Sequence, residues 1–166
     1  MDGHGMVLDR AELRLPPAVL TGAAGAMRVS LTRTVGFRAS HRFWRPEWSE
    51  AENRERFGAT ADAPGHGHDY RCAVTVSRAL EPAEDMVMDL DVLDRLLAEE
   101  VVSPHHEKHL NLAVPEFAYG KALPTCEALA RHLFRKLAAR LPHGITLDRV
   151  RVAEDSSLHA DCTRES

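Results

Sequence analysis

The sequence predicts an α+β domain, an antiparallel four-stranded sheet with two helices on one face. Two long stretches alternate apolar and polar residues, two later stretches repeat their apolar residues at helical spacing, and no internal repeat interrupts the series. The predicted order is strand, strand, helix, helix, strand, strand.

The first strand begins at Met27. Met27, Val29, Leu31, Val35, Phe37, Ala39, His41 and Phe43 share one parity, and Arg28, Ser30, Thr32, Thr34, Arg38, Ser40 and Arg42 share the other. Only Arg33 breaks the apolar side. Residues 45–64 are polar and rich in charge and small residues, and read as a long functional loop with room for a short helical turn. The second strand places His66, His68, Tyr70, Cys72, Val74 and Val76 on one face, so both histidines look toward the core. A first helix follows Asp89 or Asp91 as N-cap, with Val92, Leu93, Leu96, Leu97, Glu100 and Val101 at helical spacing. After a Pro-punctuated loop through residues 103–123, Thr125 caps a second helix striped by Leu129, Leu133, Phe134, Leu137 and Leu141, which Pro142 and Gly144 stop. The last strand covers about residues 145–154, with a short final strand near Leu158. Residues 1–26 mix Gly, Pro and Ala without a clean period and are expected to form a flexible extension, leaving one domain at 27–166.

With 166 residues, 44% of them apolar and 28% charged, the chain can bury a core without disulfides. A net charge of −4 with scattered basic residues argues against nucleic-acid or membrane-surface partners, and no apolar run approaches the roughly 18 residues of a spanning helix. Cys72, Cys126 and Cys162 form no CxxC pair and fit free thiols of a reducing compartment; with no basic region leading into an apolar stretch at the N-terminus, the expected location is the cytoplasm.

Three inward-facing histidines carry the chemistry. Residues i and i+2 of a strand point the same way, so His66 and His68 can reach one ion from adjacent rungs while His41 supplies a third nitrogen. Three neutral imidazoles with a fourth position left open form the pattern of catalytic zinc, whereas a structural site closes with four ligands. The alternative is a chance HGH among ten histidines, each satisfied within the core.

From residue 27 to about 160 the chain resembles the 6-pyruvoyltetrahydropterin and 6-carboxytetrahydropterin synthase family. Phe37-Arg-Ala-Ser-His41 resembles its first zinc histidine, and Gly65-His-Gly-His-Asp-Tyr70 its zinc pair followed by an aromatic residue. Met86-Val-Met-Asp89, Lys108-His-Leu-Asn111 with Val114-Pro-Glu-Phe117, Pro124-Thr-Cys-Glu127 and Arg151-Val-Ala-Glu154 resemble its later motifs in order. The resemblance implies a tunnelling-fold subunit assembling into a ring, a homohexamer built as a dimer of trimers. It implies a zinc-dependent lyase that takes 7,8-dihydroneopterin triphosphate, loses triphosphate and gives a 6-pyruvoyl or 6-carboxy pterin, the latter leading to the deazapurine (queuosine) route. In that setting Zn2+ sits on His41, His66 and His68, Glu154 holds the NH groups of the pterin, and Thr125 contacts the same ring.

The family's catalytic cysteine before HGH is absent from residues 57–65. One register puts Thr60 at its position and the other Asp62, and Asp62 is the one able to serve as a general base. The family's Asp-His relay reads His106-Glu107 here, with acid and imidazole exchanged. Cys126, at a predicted helix start that lowers a thiol pKa, is open as a relocated base, although packing is the commoner role for such a thiol and is the reading for Cys72. Three functions stay open: the active lyase, a zinc- and pterin-binding homologue without turnover, and a related enzyme of altered, aldolase-type chemistry.

Overall fold

The computed structural model describes residues 25–164, so all but the last two residues of the predicted extension lie outside them. The two long alternating runs form β1 (Met27–His41) and β2 (His66–Leu80), antiparallel over their whole length from Met27 opposite Leu80 to His41 opposite His66. Between them α1 (Glu50–Phe57) fills the long loop, started by a capping box in which Ser49 and Glu52 bond each other's backbone N–H groups. The predicted first helix is α2 (Leu90–Leu97), capped by Asp89 and continued by a π-helical turn (Ala98–Val102) into a short α3 (Ser103–His105). Then come β3 (Lys108–His109), α4 (Leu110–Ala113), α5 (Cys126–Ala138) behind its Thr125 cap, β4 (Thr146–Ala153) and β5 (His159–Thr163).

The sheet order is β3-β1-β2-β4-β5. This corrects the expected four-stranded antiparallel sheet: β3 adds a fifth strand, parallel to β1 at Ala39 and Ser40, and makes the sheet mixed. Two residues are too few to display a period of two, so β3 leaves no alternation in the sequence. The helices likewise number more than the two expected: α3 and α4 are too short for a stripe, while α1, as long as α2 and lying in the loop with room for a helical turn, is largely polar.

The apolar sides of the strands and the helix stripes meet in one core. Phe37, Tyr70, Cys72, Val74, Val150 and Val152 pack against Leu93, Leu97, Leu129, Leu133 and Leu137, all buried. Each leucine there contributes roughly 1.5–3 kcal/mol through burial. Arg33, the exception in β1, reaches α2 with two bonds to Asp94, Nε to Oδ1 at 2.7 Å and Nη2 to Oδ2 at 2.8 Å. Glu100 is buried in the π-helical turn, where Lys136 (3.2 Å) and Arg140 of the α5 end receive its carboxylate. From Met27 to Phe37 the outer edge of β1 pairs with no strand among the described residues, and neither does the outer edge of β5.

Candidate metal centre

The β1–β2 register creates the site. His41 stands opposite His66, and Ala39 opposite His68, so the three imidazoles share the core face at one end of the sheet. One ring nitrogen from each lies within 4.8 Å of the others. His41 is 1% exposed and the other two are half-buried. Gly65 permits the approach: its φ is +114°, and a Cβ there would lie 2.3 Å from the His41 carbonyl oxygen.

The donor set fits zinc. His41 Nδ1–H donates to the Pro124 carbonyl at 2.8 Å, which fixes the tautomer and leaves the Nε2 lone pair free. That Nε2 is 3.1 Å from His68 Nε2. Two nitrogens bound tetrahedrally at 2.0–2.1 Å from one ion stand about 3.3 Å apart, close to this spacing. Burial, then the neighbouring His66, pushes the His41 pKa down to about 4; burial also lowers His66 and His68. All three rings are therefore in the neutral, ligating form at neutral pH.

A carboxylate borders the histidines. Glu154, just past β4, places Oε2 3.9 Å from His68 Nε2 with only 10% of its side chain exposed. Burial raises its pKa, the nearby His66 counteracts that, and the buried Tyr70 hydroxyl neighbours it. Thr125 accepts a bond from Ala128 N–H at 3.2 Å and directly follows Pro124, the partner of His41. The α5 cap and the metal centre thus share one backbone turn.

The remaining sequence-based candidates each have a partner of their own. Thr60 Oγ1 donates to the Phe57 carbonyl at 2.6 Å. Asp62, 46% exposed, accepts from Arg54 at 3.4 Å. His106 Nδ1 accepts from Arg38 N–H at 3.2 Å, and Glu107, at φ +56°, donates its N–H to the Arg38 carbonyl at 2.7 Å; both serve the edge of β1. Their side chains are exposed. Cys126, for which packing is the commoner reading, donates its thiol to the Val152 carbonyl at 3.0 Å, and burial together with the Glu154 charge pushes its pKa up to about 11. Burial pushes Cys72 up to about 12.

Two residues near the centre are given no role by the sequence alone. Asn111 bridges by accepting from Arg42 N–H at 2.9 Å and donating to the Phe117 carbonyl at 3.1 Å. His109 Nε2 donates to the Pro64 carbonyl at 2.8 Å. Both lie in Lys108-His-Leu-Asn111, which the resemblance marks without assigning either a role; their bonds between β1 and the neighbouring loops supply it.

No helix among the described residues is long and apolar enough to cross a membrane. The family model for 6-pyruvoyl tetrahydropterin synthase matches residues 30–165. The human 6-pyruvoyl tetrahydrobiopterin synthase is 35% identical over 133 residues, 80% of this chain and 90% of that protein. The Drosophila melanogaster protein of the same name is 31% identical over 124 residues, 75% of this chain and 73% of its own length. The structure of Caenorhabditis elegans 6-pyruvoyl tetrahydropterin synthase superposes with a TM-score of 0.75 at 26% identity, covering 85% of this chain and 99% of that one. An uncharacterized Wolinella succinogenes protein shares the fold at a TM-score of 0.60 and 17% identity, over 84% of this chain and all of that one. With a family model spanning nearly all the described residues and relatives matched along most of their length, the chain belongs to the 6-pyruvoyl tetrahydropterin synthase family.

Proposed function

We propose that this chain is a zinc-dependent lyase that converts 7,8-dihydroneopterin triphosphate to a 6-pyruvoyl-tetrahydropterin with loss of triphosphate, or to a 6-carboxy-tetrahydropterin with loss of triphosphate and of the two outer side-chain carbons. The observation that carries this reading is the convergence of His41, His66 and His68 with the buried Glu154 at 3.9 Å from His68. Zinc held by three imidazoles supplies Lewis acidity for the hydroxyl-bearing side chain of the substrate. The protein's own residues do the rest. The Glu154 carboxylate accepts two parallel N–H bonds from the guanidine-like edge of the pterin, which fixes the ring so that its side chain reaches the histidines. Thr125 contributes a hydroxyl to the same ring. Asp62 is the carboxylate we assign as proton acceptor in the loop without a cysteine, with His106 and Glu107 as the relay to solvent. A turn of the loop that releases Asp62 from Arg54 belongs to this reading, since the pair is half-exposed and weak.

We further propose a cytoplasmic homo-oligomer, a hexamer formed as a dimer of trimers. The unpaired edges of β1 and β5 support it, as each offers a row of backbone donors and acceptors to a neighbouring copy. The carboxy product would place the chain on the deazapurine (queuosine) route. A second reading, a zinc- and pterin-binding homologue without turnover, is favoured by one observation: Thr60, where the family's cysteine would stand in one register, has its proton bonded to the Phe57 carbonyl.

The test is incubation of the purified, zinc-quantified protein with 7,8-dihydroneopterin triphosphate, with products identified by mass spectrometry. A pyruvoyl or carboxy pterin with released triphosphate is the expected result. Tight binding without conversion would replace the lyase with the binding protein, and any other cleavage product would indicate the aldolase-type chemistry.

A further inference from the structure

We propose that His109 is a positioning residue of the metal centre: through its bond to the Pro64 carbonyl it braces the turn that delivers His66 to His41. The inference rests on reading the three histidines as a metal site. It concerns a residue outside the ligand set.

The topology puts His109 on the opposite side of β1 from the ligand pair. β3 pairs His109 with Ser40, the residue before His41, while β2 pairs Gly67 with the same Ser40. From that position the imidazole reaches past the end of β1 to the Pro64 carbonyl at 2.8 Å, a contact across 45 positions of sequence. Pro64 is followed directly by Gly65 and His66. A displaced Pro64 therefore moves the start of β2, and with it the ligand nearest His41.

The turn has few other restraints. Its earlier part is tied to the continuation of β1 by Phe43 N–H to the Thr60 carbonyl (3.0 Å) and by Arg42 Nε to the Ala61 carbonyl (2.6 Å). Among the described residues, the His109 bond is the one side-chain hydrogen bond accepted by the backbone of residues 62–65. At Gly65 the backbone of the turn lies against the His41 carbonyl, with no room even for a Cβ, so small movements there transmit directly to the site. Asn111, two residues after His109, bonds Arg42 N–H just beyond His41. The segment 109–111 thus holds both sides of the meeting point.

The imidazole bears a cost that packing alone does not explain. Because Nε2 donates to Pro64, the other ring nitrogen, Nδ1, is left buried with no hydrogen-bond partner among the described residues. An apolar side chain of similar size would fill the space without that orphan. What it would not provide is the donor to Pro64.

The test uses full-length protein loaded with Zn2+ or Co2+, and three variants. His109→Ala and His109→Phe remove the donor; His109→Gln keeps an N–H at the Nε2 position. Zinc affinity is read by competition with a chromophoric chelator, the ligand geometry by the d–d bands of the cobalt form, and fold integrity by melting of the metal-free proteins. Expected are an affinity loss of about 10–100-fold and altered cobalt bands in the Ala and Phe variants, with recovery toward wild type in the Gln variant. Wild-type affinity and bands in the Ala or Phe variant would overturn the brace, as would a Gln variant no better than Ala. Failure of the unaltered protein to take up either metal would instead overturn the metal reading, and the brace with it.

Discussion

The three-histidine cluster should make the metal-free protein sensitive to mild acid, and His41 should account for a definable part of that sensitivity. Its ring is 1% exposed, and burial with the neighbouring His66 lowers its pKa from 6.5 to about 4. The folded chain thus favours the neutral ring. Its contribution to stability is complete above the unfolded pKa and is lost as the pH falls from 6.5 toward 4. Between pH 7 and pH 5 the unfolded chain takes up about three-quarters of a proton at this residue and the folded chain very little. At 1.36 kcal/mol per pKa unit the loss is about 2 kcal/mol. His41→Asn provides the comparison: its amide can still donate to the Pro124 carbonyl, and it does not titrate. Urea unfolding of chelator-treated protein at the two pH values should show a pH-dependent loss about 2 kcal/mol smaller in the variant than in the natural chain. His66 and His68, also lowered by burial, contribute acid sensitivity that both proteins share. Equal losses in the two proteins would refute the assignment of a buried neutral ring to His41.

Four further outcomes are expected. His66→Ala should lose stoichiometric zinc while keeping its far-ultraviolet circular dichroism, because the side chain is half-buried at the end of the sheet; retained metal by elemental analysis would rule out the three-histidine site. Gly65→Ala forces a side chain into φ +114° and toward the His41 carbonyl, so we expect a loss of at least about 1–3 kcal/mol in chemical denaturation together with weakened zinc binding. The Cys126 thiol, buried and pushed up to about 11, should react with a thiol reagent only on unfolding, and rapid labelling of the native protein by peptide mapping would contradict its bond to Val152. Asp62→Asn should change stability by less than about 1 kcal/mol, since it breaks only a half-exposed pair, yet abolish pterin turnover with zinc retained; an unchanged rate would return Asp62 to a turn residue.

What can be read in the sequence follows from how long each pattern runs. β1 and β2 alternate over fifteen residues each, so their core faces, and the facing of His41, His66 and His68, are legible in the alternation itself. The caps at Asp89 and Thr125 announce α2 and α5 in the same way. Arg33 shows how a single break in such a pattern can still be structural: an arginine on an apolar face is the residue that ties the strand to α2. The short elements give no such signal. β3 and α4 together cover six residues, and their placement depends on pairing with Ala39 and Ser40 and on a bond from Arg42, all remote in sequence.

The site divides along the same line. A period of two determines which face a histidine takes, but whether His41 meets His66 depends on register, and a slip of one residue would turn His66 and His68 to the other face. That register is defended at the very end where the metal ligands meet. Gly65 lets the two backbones close at His41, and the ring of His41 is held through Pro124 ahead of α5. Glu154 then reaches His68 because β4 pairs with β2 in one register from Arg71 opposite Ala153 to Thr75 opposite Arg149, before a bulge at Val76 shifts the pairing. Facing is written in local alternation; pairing is written in residues such as Gly65, Pro124 and His109, which have no periodicity and act only once the strands have met.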